Sequence, residues 1–362
     1  MCVCGIEFRP KLKISKRNIP MASDIDNKDS AYNARVQQQI DQFIDQPIHD
    51  LPEIFHIWSH NYIRPGIADV FGVESINDVY KGAVREASKQ FGDGCRILSV
   101  GCGDGNVEIQ LALSLIEAGF TRFRIEAVDL SPVLIERFRE QLHANKLEGY
   151  ILPQIADLNK RTPSEKYNVI MANHSLHHIV ELEGIFDFIF ESLTDDGIFA
   201  TCDMIGRNGH MRWPESEAVL QTIWPLLSDR QRFHHQLLRH DRERFVDHDC
   251  STEGFEGIRA QDILYLILNR FFPYKFFGYG GFMDVLTDRG YGPGFDQNNQ
   301  WDVEFIGAMS KLNEMMLDSG MLKPTTMIAY FTKQERAPVH FRNRTARSSV
   351  RIPFEKPDWI FE

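Results

Sequence analysis

A chain of 362 residues, 43% of them hydrophobic, is long enough to bury a sizeable core and exceeds one minimal domain. Its formal charge of −11 argues against general nucleic-acid binding, which rests on neutralising phosphates. No run of about 18 apolar residues occurs, so a membrane-spanning helix is not expected.

Residues 1–30 read as a disordered leader carrying Arg9, Lys11, Lys13, Lys16 and Arg17. The leader lacks the apolar centre of a secretory signal, and Met21 is an alternative start. Residues 31–90 read as an N-terminal helical lid, with an amphipathic helix over Ala34 to Phe43. The run Ile54 to Pro65 is dense in aromatics with polar tips, Trp58 and Tyr62 among them. It suits either a cover over a bound cofactor or plain packing against the following domain.

Residues 91–205 carry the chemistry. In RILSVGCGDGNVEIQ (Arg96–Gln110), an aliphatic run enters Gly101, Gly103 and Gly105, and a helix-competent segment follows at once. Strand, glycine turn and helix bring a backbone close to a ligand at a helix N-terminus. A dinucleotide fingerprint wants G-x-G-x-x-G, and Asn106 stands where its third glycine would be. Alone, the turn fits a ligand cradle or a simple tight turn. Phe123 to Val128 then reads as a second strand ending in Asp129, with Ser131 as N-cap and Pro132 opening the next helix. A carboxylate at that strand tip can accept both hydroxyls of a ribose; it can also simply favour the helix N-terminus. A third strand, Tyr150 to Ile155, leads to Asp157 and Leu158. The fourth, Tyr167 to Ala172, is apolar throughout, as a strand buried on both faces is, and runs into Asn173-His174-Ser175-Leu176-His177-His178. A fifth, Gly197 to Cys202, ends at Asp203.

Residues 206–324 exceed the close of a minimal α/β domain and read as a helical cap that includes the sixth strand, near Tyr274 to Tyr279. Helices are expected over Asp229–Asp247, Ile258–Phe271 and Trp301–Asp318. His234, His235, His240 and His248 are too irregularly spaced for metal ligation, so a solvated helix face is expected and no metal site. A last core strand falls in 325–335. The tail, 336–362, holds Arg336, Arg342, Arg344, Arg347 and Arg351 and reads as a solvated, mobile end. The six scattered cysteines suit free thiols in a reducing cytoplasm.

From about Gly94 to Ile205 the sequence resembles the class I S-adenosylmethionine-dependent methyltransferases. SVGCGDG resembles their glycine motif, EAVDLS the ribose motif, IADL the adenine motif and NVIMANHSLHHI the fourth-strand motif, whose LHH ending is typical of members acting on small molecules. The resemblance implies an α/β, Rossmann-like, doubly wound, mostly parallel sheet of seven strands with S-adenosyl-L-methionine as cofactor. It implies that Gly101, Cys102, Gly103 and Gly105 approach the cofactor's amino-acid portion, that Asp129 holds the ribose, and that Leu130, Asp157 and Leu158 frame the adenine. Asn173 and His174 would lie beside the sulfonium. Ser99 departs from the pattern, standing where the family commonly has Asp or Glu, and Asp104 or Glu108 is then the candidate substitute.

Methyl transfer from a sulfonium needs alignment, exclusion of water and, for a hydroxyl-like acceptor, removal of a proton. His177 is the first candidate base, then His174 and His178. Asp203, Glu256, Arg259 and Tyr279 are acceptor-side candidates. The leading expectation is a cytoplasmic methyltransferase for a small-molecule acceptor, with no nucleic-acid or membrane partner and a possible homodimer. The alternatives are an NAD-dependent oxidoreductase and a non-catalytic binding protein that keeps the fold.

Overall fold

Strand β1 (Arg96–Val100) lies inside the sheet because its side chains serve both faces: Ile97 packs into one apolar core and Leu98 and Val100 into the other. The computed structural model describes residues 51–92, 94–157, 165–252 and 254–351. The leader, the expected Ala34–Phe43 helix and Leu158 lie outside the described residues.

Around β1 stand β2 (Arg124–Asp129), β3 (Ile151–Ile155), β4 (Tyr167–Asn173) and β5 (Leu193–Met204), all parallel to one another. Antiparallel β9 (Thr326–Thr332) and β8 (Phe272–Tyr279) extend the sheet, and a short β10 (Val339–His340) closes it parallel to β8. The order is β10-β8-β9-β5-β4-β1-β2-β3. The sheet thus has eight strands rather than the expected seven, the extra one being two residues long. The chain leaves β1 towards β2 and returns on the other side as β4. The gap between β1 and β4 is therefore the switch point at which α/β sheets bind ligands.

Helices cover both faces. On the N-terminal side are α1 (Glu53–Trp58), a π-helical turn over Ser59–Ile63, α2 (Arg64–Phe71) and α3 (Ile76–Phe91). Next come α4 (Asn106–Glu117), α5 (Pro132–Asn145) and α6 (Leu182–Ser192). The segment 206–324 supplies α7 (Pro214–Ile223), α8 (Ala260–Leu268), α9 (Met283–Thr287) and α10 (Gln300–Asp318). Among the described residues no helix is long and apolar enough to cross a membrane.

Two expectations need correction. Asp229–Asp247 is not a helix: β6 (Phe233–His234) pairs antiparallel with β7 (Arg239–His240) around Leu238, whose φ is +50°. Long-range bonds hold this ribbon, with Trp224 Nε1 donating to Asp241 O at 2.6 Å and Tyr291 OH bonding the Asp241 carboxylate. Nor is the described tail a solvated end. Arg344 is 2% exposed and clamped by Glu314, Asp318 and the carbonyl of Gly278, and Arg351 bonds Glu215 at 2.8 Å. Buried guanidinium groups need such partners, and these lie at the end of α10, at the start of α7 and on β8.

Candidate active site

The glycine turn is shaped by what each missing side chain leaves room for. Gly101, Gly103 and Gly105 all have positive φ, at 69°, 57° and 78°. A Cβ on Gly101 would fall 2.4 Å from that of Ser175, and one on Gly105 would fall 2.1 Å from the Phe138 ring. Gly105 is thus a packing position at the start of α4 and lies off the cavity wall, contrary to its expected cofactor contact. A Cβ on Gly103 would meet open space, and Gly103 lines the cavity.

That cavity has a volume of about 730 Å³. Its wall includes Gly101, Cys102, Gly103, Asp129, Leu130 and Asp157, then Asn173, His174, His177 and His178 of the histidine loop, and Phe55, Ser59, Arg64, Phe255, Tyr279 and Arg289. On this wall Asp129 Oδ2 accepts from Gly103 N at 2.8 Å and Oδ1 from Ser131 N at 2.8 Å. The carboxylate keeps lone pairs able to accept from the hydroxyls of a vicinal diol. Burial raises this carboxyl above its ordinary range. The open face of Gly103 and the diol-ready carboxylate fit an adenosyl ligand bearing an amino-acid tail.

Glu108 resolves the irregularity at Ser99. Ser99 Oγ donates to Glu108 Oε1 at 2.6 Å, and both side chains are buried. Burial pushes the Glu108 carboxyl up to about 7. Helix α4 therefore brings beneath the turn the acid that the strand lacks. Asp104 instead accepts from the N–H of Asn106.

The histidine loop is braced from behind by Asp203. Its Oδ2 accepts the backbone N–H groups of Ser175 and Leu176 at 3.0 and 2.8 Å; its Oδ1 accepts that of Met204 and meets His177 Nδ1 at 2.5 Å. Asp203 is fully buried, lies off the cavity wall and braces the loop through these bonds. Burial disfavours charge on His177, but Asp203 and Glu256 together outweigh it and raise the imidazole to about 9. Burial lowers His174 and His178 to about 3, which keeps both rings neutral. His174 holds a left-handed φ of 49°, with Nε2 at 3.4 Å from Cys202 Sγ. Asn173 Oδ1 accepts from Tyr80 OH at 3.0 Å, a partner on α3 that the sequence reading did not single out.

Three further expectations are corrected. Tyr62 does not line the cavity: its hydroxyl donates to Gly307 O on α10 at 3.1 Å. The wider π-helical turn gives Ser59 and Ile63 to the cavity and turns Tyr62 away. Arg259 is drawn outward, pairing with Glu183 at 2.6 Å and Asp262 at 2.8 Å. Glu256 lies behind the histidines, where Oε1 meets His210 Nε2 at 2.8 Å and stands 3.6 Å from His177 Nε2. His177, His210 and Glu256 thereby bring together three groups able to hold a metal ion, where none was expected. His210 escaped notice because 46 residues separate it from Glu256.

Residues 74–258, just over half of the chain, match the family described as "Methyltransferase domain". A malonyl-[acyl-carrier protein] O-methyltransferase of Acetivibrio thermocellus is 26% identical over 168 residues, covering 46% of this chain and 55% of the relative. A second protein of that description, from Ilyobacter polytropus, is 26% identical over 183 residues, covering 49% of this chain and 62% of the relative. The chain thus spans little more than half the length of these curated relatives. Among solved structures, an O-methyltransferase from a trans-AT polyketide multienzyme of Brevibacillus brevis, in complex with S-adenosyl-L-homocysteine, is 13% identical with a TM-score of 0.41, covering 80% of this chain and 82% of that one. The sheet order, the glycine turn and the family match lead to one assignment: this chain belongs to the methyltransferase domain family.

Proposed function

We propose that the chain moves a methyl group from S-adenosylmethionine to a small-molecule acceptor bearing a hydroxyl or similar protic nucleophile. The supporting observation is that one cavity wall carries the Asp129 carboxylate, an open glycine, three histidines and several aromatic side chains. S-adenosylmethionine, when bound, supplies a methyl group already activated on a sulfonium.

The protein's own residues do the rest. Gly101, Cys102 and Gly103 hold the amino-acid portion, Asp129 the ribose, and Leu130 with Asp157 the adenine. Phe55, Ile63, Phe255 and Tyr279 exclude water from the acceptor side, where desolvation strengthens each polar contact. His177, fixed through Nδ1 by Asp203, is the acid–base residue and acts as base in the fraction that has lost its proton, which grows as pH rises toward about 9, while His174 and His178 orient the acceptor. Glu256 reaches the acceptor only through these rings. The four described cysteines are all buried and free of disulfides, which supports a reducing, cytoplasmic setting.

Incubating the full chain with labelled donor and a metabolite extract tests this reading. Label is expected in a small-molecule fraction, and His177→Gln should lower its rate by about 10²–10⁴-fold while S-adenosylhomocysteine binding persists. Label found only in protein, or a rate unchanged in His177→Gln, would contradict it.

A further inference from the structure

The pairing of His177 with Asp203 leaves a second set of buried groups unexplained. His177, His210 and Glu256 have side chains 4%, 1% and 0% exposed, and their ligand atoms all lie within 4.8 Å of one another. Among the described residues Glu256 Oε2 is fully buried without a hydrogen-bond partner, and His178 Nδ1 stands 3.6 Å away. A desolvated carboxylate oxygen without a donor costs about 1–3 kcal/mol or more. Something absent from the protein itself would satisfy it.

The donor chemistry identifies that ligand. Two imidazole nitrogens and a carboxylate form a set used for zinc and neighbouring divalent ions. Ligands about 2.0–2.1 Å from a tetrahedral ion stand about 3.3 Å apart. The separations from Glu256 Oε1, 2.8 Å to His210 Nε2 and 3.6 Å to His177 Nε2, bracket that value. His177 also presents the outer support such sites require, its Nδ1 held by Asp203 while Nε2 faces the candidate ion. His210 reaches its place on left-handed backbone, at φ 54° after Gly209 at 65°. Gly257 leaves room for the ring, since a Cβ there would sit 3.1 Å from it.

We propose that His177, His210 and Glu256 bind one divalent transition-metal ion of the zinc class, with His178 beside the fourth position. The site ties the histidine loop after β4 to the segment that follows β5. Because the ion and a proton claim the same Nε2 lone pair of His177, metal occupancy switches off histidine assistance and leaves donor binding intact. That consequence rests on the acid–base role proposed above; the site itself does not.

The test is a Co²⁺ titration of the full chain after dialysis against a chelator, read by visible absorption. One equivalent giving the intense bands of tetrahedral Co²⁺ is expected, displaced by Zn²⁺. Glu256→Gln and His210→Gln should each abolish the bands, Asp203→Asn should weaken binding about 10–100-fold, and removal of the exposed His143 should change nothing. Weak octahedral bands in the unaltered chain, a reading that needs no variant to fold, would overturn the proposal; so would bands unchanged in both ligand variants. S-adenosylhomocysteine titrated into the same samples separates the two failures. Donor binding without cobalt bands refutes only the metal site, and cobalt bands without donor binding refute only the donor site.

Discussion

The two proposed sides of the cavity are built in different ways. The proposed donor side comes from successive strand tips: Gly101–Gly103 after β1, Asp129 at the end of β2 and Asp157 after β3. Each residue is placed by its own strand and turn. The proposed acceptor side gathers Phe55, Arg64, Phe255, Tyr279 and Arg289 from distant segments, and the histidine loop leans on Asp203. The first side is specified locally and the second by tertiary packing, so damage to each should appear in different measurements.

Asp203→Ala strikes the shared support. It leaves three backbone N–H groups and an imidazole without their buried acceptor, and should destabilise the fold by about 3–5 kcal/mol in denaturant unfolding. A loss below about 1 kcal/mol would mean that the loop braces itself.

Glu108 offers a pH test of the donor side. Its folded carboxyl titrates at about 7 against 4.5 as the reference, so the native state holds a proton that the unfolded chain releases first. This group's contribution to stability is therefore full below that window and falls as pH rises through it, by up to about 3 kcal/mol. Glu108→Gln should flatten that slope in unfolding midpoints measured across the window. An identical slope in the variant would remove Glu108 from the account.

Gly103→Ala sharpens the comparison further. Its backbone strain costs about 1–2 kcal/mol, but the added methyl enters open cavity. Donor affinity should therefore fall more than stability does. The reverse ranking would place Gly103 among packing glycines such as Gly105. The smallest effect is expected for Tyr62→Phe, which removes one bond to Gly307 O. It should cost about 1 kcal/mol of stability and leave donor titrations unchanged; weaker donor binding would return Tyr62 to the cofactor site.

The same contrast explains what could be read from the sequence. Gly101 to Gly105, Asp129 and the Asn173–His178 loop were legible because a strand, a turn and a helix start declare themselves within a few residues. Asp229–Asp247 was misread because polar residues at helical spacing say nothing of Trp224 and Tyr291, which fix the segment as a ribbon. Arg344 looked like a solvated tail residue because its partners, Glu314 and Asp318, lie 30 and 26 residues away. The site of Glu256 was hidden likewise: His177 and His210 reach it only once the segment after β5 folds back over the histidine loop.

The central claim is that the glycine turn and Asp129 hold a methyl donor, and calorimetric titration with S-adenosylhomocysteine and with NAD tests it most directly. We expect saturable one-site binding of S-adenosylhomocysteine, no response to NAD, and an affinity at least about a hundredfold lower in Asp129→Ala, since two charge-assisted bonds are lost. Saturable NAD binding without a response to S-adenosylhomocysteine, or an undiminished affinity in Asp129→Ala, would contradict it.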